Sequence, residues 1–151
     1  MKTILLLLAT LTFIYMQPVS AQSKKSITYH NSVKVLPTDL PFSELVKVGN
    51  MLYLSGQIGV IPGSLKLVSG GIKEEAKQTM ENIKSVLEHQ GYSLNNIVKC
   101  TVMMADISEW AAFNEIYKLY FNKPYPARSA FGANGLALKA RVEVECLGAV
   151  E

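Results

Sequence analysis

The sequence is poor in the residues that bind metals or serve as nucleophiles, with two histidines and two cysteines among 151 residues. His30 and His89 have no partners at metal-site spacing, so the sequence predicts no metal. A Ser-His-Asp set, a Cys-His pair, a phosphate-binding loop and a dinucleotide fingerprint are also missing. These absences argue against metalloenzymes, serine or cysteine hydrolases and nucleotide-dependent enzymes.

A strongly basic character is also missing. Fifteen Lys and Arg residues against twelve Asp and Glu residues give a formal net charge of +3, and the only basic cluster is Lys24-Lys25. A protein that follows a phosphate backbone is expected to carry a stripe of basic residues. The composition therefore disfavours nucleic acid as a partner.

Only one long hydrophobic run is present, at residues 4–16. It follows Lys2 and leads to the small residues 19–21, which is typical of a secretory signal peptide. We therefore expect a signal peptide at residues 1–21 and one domain at residues 22–151, exported to the periplasm or secreted and free of the membrane after cleavage. An uncleaved anchor is the alternative, whereas the lack of a following cysteine argues against a lipoprotein.

Alternating hydrophobicity predicts the strands. Residues 45–60 alternate around a Gly49-Asn50 turn and predict a hairpin, and residues 34–37 could add a short strand. Two final strands are expected near residues 127–132 and 140–150. Cysteines 100 and 146 lie on the apolar phases of two strands, where two buried thiols are expected, or a disulfide if those strands are neighbours.

Helical periodicity predicts the other elements. An amphipathic helix of about five turns starts at Ile72 and ends before Gly91, a suitable C-cap glycine. A strand follows at residues 97–107, and Asp106 or Ser108 can cap a second helix. This helix carries an aromatic stripe that we expect to lie in the core: Trp110, Phe113, Tyr117 and Tyr120.

The predicted order is ββ–α–β–α–ββ, which indicates an α+β fold with a mixed sheet of about six strands. Both helices are expected on one face, and each hairpin-like strand pair is expected to consist of antiparallel neighbours. The other face of the sheet would then lack a cover, so another subunit is the natural candidate to bury it.

An arginine stands out in the apolar segment "YPARSAFGANGLA". On the predicted strand, Arg128 shares its phase with Ala130 and Gly132, so the small neighbours leave room above the guanidinium. Such an arginine can bind a carboxylate through two parallel hydrogen bonds. The alternative is an ordinary solvated arginine on a strand.

Two further segments are candidates for chemistry. Glu143 and Glu145 share the outward phase of the last strand, and either could hold a water as general base or simply face solvent. The glycines of "SGQIG", Ser55–Gly59, permit close approach of a ligand to the backbone, or only a turn. The residues alone therefore indicate a small-anion site.

Four segments resemble the RidA/YjgF family of imine deaminases in order and spacing: "VGNMLYLSGQIG", "TMENIKSVLEHQGYSLNNIVKCTVMMADISEWAAFNEIYKLYF", "YPARSAFGA" and "VEVECLGAV". The resemblance covers residues 40–150. It implies the RidA/chorismate mutase-like fold, a homotrimer with three intersubunit clefts, and no cofactor. The implied reaction is hydrolysis of small 2-imino acids or their enamines, of the 2-aminoacrylate type, to 2-keto acids and ammonia.

The resemblance also implies roles for individual residues. Arg128 would bind the substrate carboxylate, and Glu143, rather than Glu145, would position the attacking water. The backbone at Ser55-Gly56 and around Ala130 would line the cleft, and Asn114 would border it. Phe42, in the N-terminal loop, is also expected to bind substrate.

The sequence departs from the family pattern in three ways. Phe42 stands where well-characterised deaminases have a tyrosine, Ala130 stands where a cysteine is frequent, and the export signal separates the protein from cytoplasmic sources of enamines. Two alternatives follow: an exported module that binds a small carboxylate in the same cleft without turnover, or a chaperone-like or ribonuclease-like role.

Overall fold

The computed structural model describes residues 26–37 and 39–151, so the predicted signal peptide, residues 1–21, lies outside the described residues. No helix in this part of the chain is long and apolar enough to cross a bilayer. The main elements, in chain order, are β1 (Ile27–His30), β2 (Leu45–Val48), β3 (Met51–Ile58), α1 (Ile72–His89), β4 (Ile97–Met104), α2 (Trp110–Tyr117), β5 (Ala127–Gly132) and β6 (Val142–Ala149).

The strands form one mixed six-stranded sheet in the order β1-β2-β3-β6-β4-β5. Only β4 and β5 are parallel, because α2 is the crossover between them, and the other neighbours are antiparallel. The mixed α+β fold is therefore as predicted, but β5 and β6 are not the expected antiparallel pair. The connection through residues 133–141 is longer than a tight hairpin loop and carries the chain past β4, which separates them.

The core lies between the two helices and one face of the sheet. The apolar stripe of α1 and the α2 residues Phe113 and Tyr117 belong to the same buried cluster as the inward side chains of β4 and β6. As predicted, α1 spans five turns. Asp106, one of the two expected caps, accepts a hydrogen bond from the Ser108 backbone N–H at 2.9 Å in the 3₁₀ turn before α2.

Residues 34–37 form no strand, contrary to the sequence prediction. Val35 and Leu36 are nevertheless buried in the core, so their apolar character reflects packing of a loop. The strand beside the 45–58 hairpin is instead β1, at residues 27–30.

The two cysteines form a disulfide, which corrects the expectation of buried thiols. Cys100 in β4 lies directly opposite Cys146 in β6, and both side chains point to the helix-covered face. The periodicity placed both residues on inward phases but held no information that β4 and β6 are neighbours.

Candidate active site

Arg128 lies on the edge strand β5, on the helix-covered face of the sheet. Its register partner is Cys100 in β4, and its guanidinium lies against α2. The guanidinium carbon is 4.5 Å from the ring centroids of both Trp110 and Tyr117 and 5.9 Å from that of Phe113. Aromatic faces attract a cation and limit its side-chain freedom. The second helix therefore holds Arg128 in a fixed orientation.

The cavity beside Arg128 is suited to an anion. It has a volume of about 360 Å³, and it is lined by Arg128, Lys118, Asn114, Tyr117, Tyr125 and Pro126. No carboxylate is among these lining residues. The ion pairs of the described chain join Lys73 to Glu115, Lys84 to Glu88, and Arg141 to Glu109, so Arg128 remains available to a ligand.

Tyr117, which lines this cavity, has a buried hydroxyl group. The side chain is 4% exposed, and the hydroxyl has no hydrogen-bond partner among the described residues. Burial raises the pKa of this phenol, an effect that the nearby charge of Arg128 partly offsets. The phenol is therefore protonated at neutral pH and keeps a proton to donate.

Glu143 lies on the opposite face of the sheet. It is three residues from Cys146 along β6, and alternation therefore directs it away from the helices. A β-bulge in β3 places Gly56 directly beneath its carboxylate, where a Cβ atom would overlap the Glu143 carboxylate oxygen. The absence of a side chain at Gly56 makes room for the carboxylate.

Burial raises the pKa of Glu143, and repulsion by Glu145 adds to this effect. A carboxylate with a raised pKa is a stronger base and abstracts a proton from water more readily. Glu145 is exposed on the same strand phase, and no glycine of β3 lies beneath it. The two glutamates that alternation could not separate thus occupy different environments.

A second cavity, of about 280 Å³, adjoins Glu143 and Gly56. Glu143 is its charged residue. Gln57 also lines it, but Gln57 is the register partner of the inward-facing Val144, so its buried side-chain amide lies on the helix-covered face and has no hydrogen-bond partner within the described residues. The remaining walls are apolar and come from β3 and three loops: Leu36, Leu40, Phe42, Ile58, Val60, Leu65, Ala137 and Leu138. We refer to this space as the Glu143 cavity.

The structure therefore divides the predicted site residues into two groups. Arg128, Asn114 and Ala130 lie on β5 and α2, whereas Phe42, Gly56 and Glu143 meet at the other cavity. Within one chain the two groups face opposite sides of the sheet.

Ser55 belongs to neither group. Its hydroxyl donates a 2.7 Å hydrogen bond to the Ser43 carbonyl, and it lines a third cavity on the uncovered face, beside Tyr53 and Glu145. Its side chain thus fixes the loop that precedes β2 and is already engaged.

Sequence reasoning missed the contact between Arg128 and the aromatic stripe. The core position predicted for Phe113 and Tyr117 is confirmed, but the stripe also supports the arginine. The helical spacing of Trp110, Phe113 and Tyr117 was visible, whereas their proximity to β5 depends on the parallel crossover. The leucines of the Glu143 cavity lie mainly in loops without periodicity, so no sequence signal singled them out.

The fold and the site together define a small α+β protein. On one face of its sheet, aromatic rings support an arginine beside a cavity that is suited to an anion, and on the other face lies a half-buried carboxylate. The family model described as endoribonuclease L-PSP matches residues 34–150. The chain therefore belongs to this family, the RidA/YjgF family that its motifs indicated.

Individual relatives agree with this assignment. The human 2-iminobutanoate/2-iminopropanoate deaminase is 45% identical over 107 residues, which cover 71% of this chain and 78% of the relative. The crystal structure of RidA from an Antarctic Psychrobacter is 38% identical with a TM-score of 0.73, covering 78% of this chain and 95% of that one. Escherichia coli TdcF, solved with bound serine, is 27% identical with a TM-score of 0.76, covering 82% and 99%.

Proposed function

We propose that this protein is an imine deaminase that hydrolyses 2-imino acids and their enamine tautomers to 2-keto acids and ammonia. The relatives named for this activity support the proposal, as does the serine bound to TdcF, a small amino acid with a carboxylate. The observation that carries it is that the chain presents both an arginine without an ion-pair partner among the described residues and, on the other face of the sheet, a half-buried glutamate of raised pKa.

In the proposed mechanism, Arg128 binds the substrate carboxylate through two hydrogen bonds. Glu143 accepts a proton from a water molecule, whose oxygen adds to C2 of the imine while the C=N electron pair moves to nitrogen and is protonated. The C–N bond of this carbinolamine then breaks, ammonia leaves with a second proton, and the hydroxyl loses its proton to become the keto oxygen. Fixed geometry and one base provide the catalysis, and no cofactor is required.

The active site is proposed to lie between two copies of the chain. Arg128 and Glu143 face opposite sides of one sheet, so a single substrate can meet both only if they come from different subunits. The homotrimer implied by the resemblance provides three such clefts, each with Arg128 from one copy and Glu143 from the next. The uncovered sheet face would supply the contact between copies.

We also propose that residues 1–21 are a cleaved signal peptide and that residues 22–151 act in the periplasm or outside the cell. The Cys100–Cys146 disulfide supports this, since such bonds persist in oxidising compartments.

The first test is hydrolysis of enzymatically generated 2-iminopropanoate and 2-iminobutanoate by residues 22–151, measured above the spontaneous rate. We expect the wild-type protein to be active. Arg128→Ala should abolish this activity while the oligomer persists, and Glu143→Gln should lower kcat more than it weakens substrate binding. Lys84→Ala, which removes a positive charge from the exposed side of α1, and Glu145→Gln are matched controls expected to retain turnover.

Other outcomes would change the proposal. A folded oligomer without turnover that still binds a 2-keto acid through Arg128 would be the carboxylate-binding module, an alternative that Phe42 at the Glu143 cavity favours. Loss of the oligomer in Arg128→Ala would contradict the assignment of Arg128 to substrate.

A further inference from the structure

The Glu143 cavity has one polar end and a predominantly apolar wall. The Glu143 carboxylate forms the polar end, and the surrounding β3 and loop side chains are mainly aliphatic or aromatic. Phe42, Leu65 and Leu138 are exposed by 45%, 48% and 50%, although all three converge on this one space. Apolar side chains that line a concave space gain free energy when an apolar ligand group covers them.

Leu138 is held there at a conformational cost. Its φ angle of 56° lies in the left-handed region, which is unfavourable for a residue with a Cβ atom. Strain of this kind persists where the surrounding structure enforces it, and it is concentrated at ligand sites. The loop thus presents a leucine side chain to the Glu143 cavity in spite of the backbone preference.

The chemistry of a 2-imino acid assigns this wall to one part of the substrate. In the reaction proposed above, the carboxylate is bound by Arg128 of one copy, and C2 lies at the water held by Glu143 of another. The only other substituent on C2 is the side chain that begins at C3. Since that side chain starts next to Glu143, the cavity adjoining Glu143 is where it would lie.

We propose that this site selects 2-imino acids with an apolar side chain larger than methyl, such as those derived from leucine, and that Phe42, Leu65 and Leu138 determine this selectivity. The inference rests on the proposed deaminase function. Each methylene buried in the cavity favours the larger substrate about fourfold. The leucine-derived imine is therefore expected to exceed the alanine-derived imine by about tenfold or more in kcat/KM.

The test generates both imines in situ with an amino acid oxidase, from alanine and from leucine, and compares kcat/KM for residues 22–151. Leu65→Ser and Leu138→Ser should lower the leucine-to-alanine ratio towards unity. Leu119→Ser is the matched control, because Leu119 is an exposed leucine that lines a different cavity along α1 and α2. Thermal unfolding confirms that each variant is folded, and the wild-type ratio stands independently of the variants.

The outcomes separate this inference from the proposed function. Equal turnover of both imines, or preference for the alanine-derived one, would overturn the selectivity and leave the deaminase proposal intact. A high ratio that neither leucine variant changes would overturn the assignment to the Glu143 cavity. Failure of the folded oligomer to hydrolyse either imine would overturn the deaminase proposal, and the selectivity with it.

Discussion

Arg128 and Glu143 lie on opposite faces of the same sheet, with β4 between their strands. The strand register shows this directly. Arg128 is the register partner of Cys100, which is bonded to Cys146, so these three side chains lie on one face. Glu143 is three residues from Cys146 on the same strand, and side chains alternate, so Glu143 lies on the other face. Within one chain, the two side chains therefore cannot contact the same ligand, and the proposed active site needs two copies. This separation predicts how variants that lack either Arg128 or Glu143 behave when they are mixed.

Mixing two inactive variants should restore activity. In the proposed homotrimer, assembled from equal amounts of Arg128→Ala and Glu143→Gln, about one quarter of the clefts would combine an intact arginine with an intact glutamate. We expect up to about a quarter of wild-type turnover after the mixture is dissociated and reassembled, and none from either variant treated alone. A mixture that stays inactive, despite hybrid trimers detected by mass spectrometry, would contradict a shared site.

The acid limb of the pH profile should report Glu143. Its raised pKa means that kcat/KM increases with pH as this carboxyl ionises, above the range of an ordinary glutamate. Glu145→Gln removes the like charge that contributes to the shift, so the pKa falls and the limb moves to lower pH. Profiles of wild type and Glu145→Gln measured between about pH 4 and 8 test this; a limb that does not move would assign it to another group.

Gly56→Ala should inactivate the protein without unfolding it. The new Cβ would overlap the Glu143 carboxylate, so the carboxylate must move away from the bulge. We expect kcat to fall at least about tenfold, while the melting temperature changes little because Glu143 is only half-buried. Gly91→Ala, at the end of α1, is the control: its Cβ would meet no atom within 4 Å, and the positive φ of 77° lowers stability without displacing Glu143. Full activity in Gly56→Ala would mean that the position of Glu143 is unimportant.

Trp110→Leu should weaken carboxylate binding. Removing one of the two rings that flank the guanidinium costs roughly 0.5 to 2 kcal/mol, which is about two- to thirtyfold in KM. The control is Phe121→Leu, because Phe121 contacts Tyr117 at a centroid distance of 4.8 Å and is not among the rings that contact Arg128. Steady-state kinetics of both variants separate support of Arg128 from general packing; an equal rise in KM would indicate packing alone.

The disulfide should contribute strongly to stability. It closes a segment with a sequence separation of 46, for which chain entropy predicts about 4 kcal/mol. Guanidinium unfolding with and without a strong reductant measures this difference. The Cys100→Ala, Cys146→Ala double variant should match the reduced protein and be insensitive to reductant. Identical midpoints for oxidised and reduced wild type would show that the bond adds nothing.

The sequence predicted what depends on local periodicity. The hairpin around Gly49, the five turns of α1 and the outward phase of the last strand all follow from spacing between neighbours in the chain. The antiparallel pairing expected for β5 and β6 was wrong because strand order in a sheet is decided by long-range packing. The same limitation hid the disulfide, since only the position of β6 beside β4 brings its two sulfur atoms together.

The candidate site was predictable to a similar extent. Arg128 was identified because a charge among small residues on one strand phase is unusual. Alternation alone could not separate Glu143 from Glu145, and the structure distinguishes their surroundings through Gly56 beneath one of them. The leucines opposite Glu143 remained hidden because loops bring them together from distant parts of the chain.

The surroundings of Arg128 and Glu143 also come from the sequence in different ways. The arginine, its supporting rings and the crossover helix all lie within the contiguous residues 110–128. The walls of the Glu143 cavity come instead from separate parts of the chain: Leu36, Leu40 and Phe42, then residues 56–65, and finally Ala137 and Leu138. Under the proposed function, substitutions in the walls of the Glu143 cavity would change which substrate side chains are accepted without altering the segment proposed to bind the carboxylate. Relatives that differ in these walls and retain residues 110–128 would bind the same carboxylate group and differ in the substrate side chains that they accept.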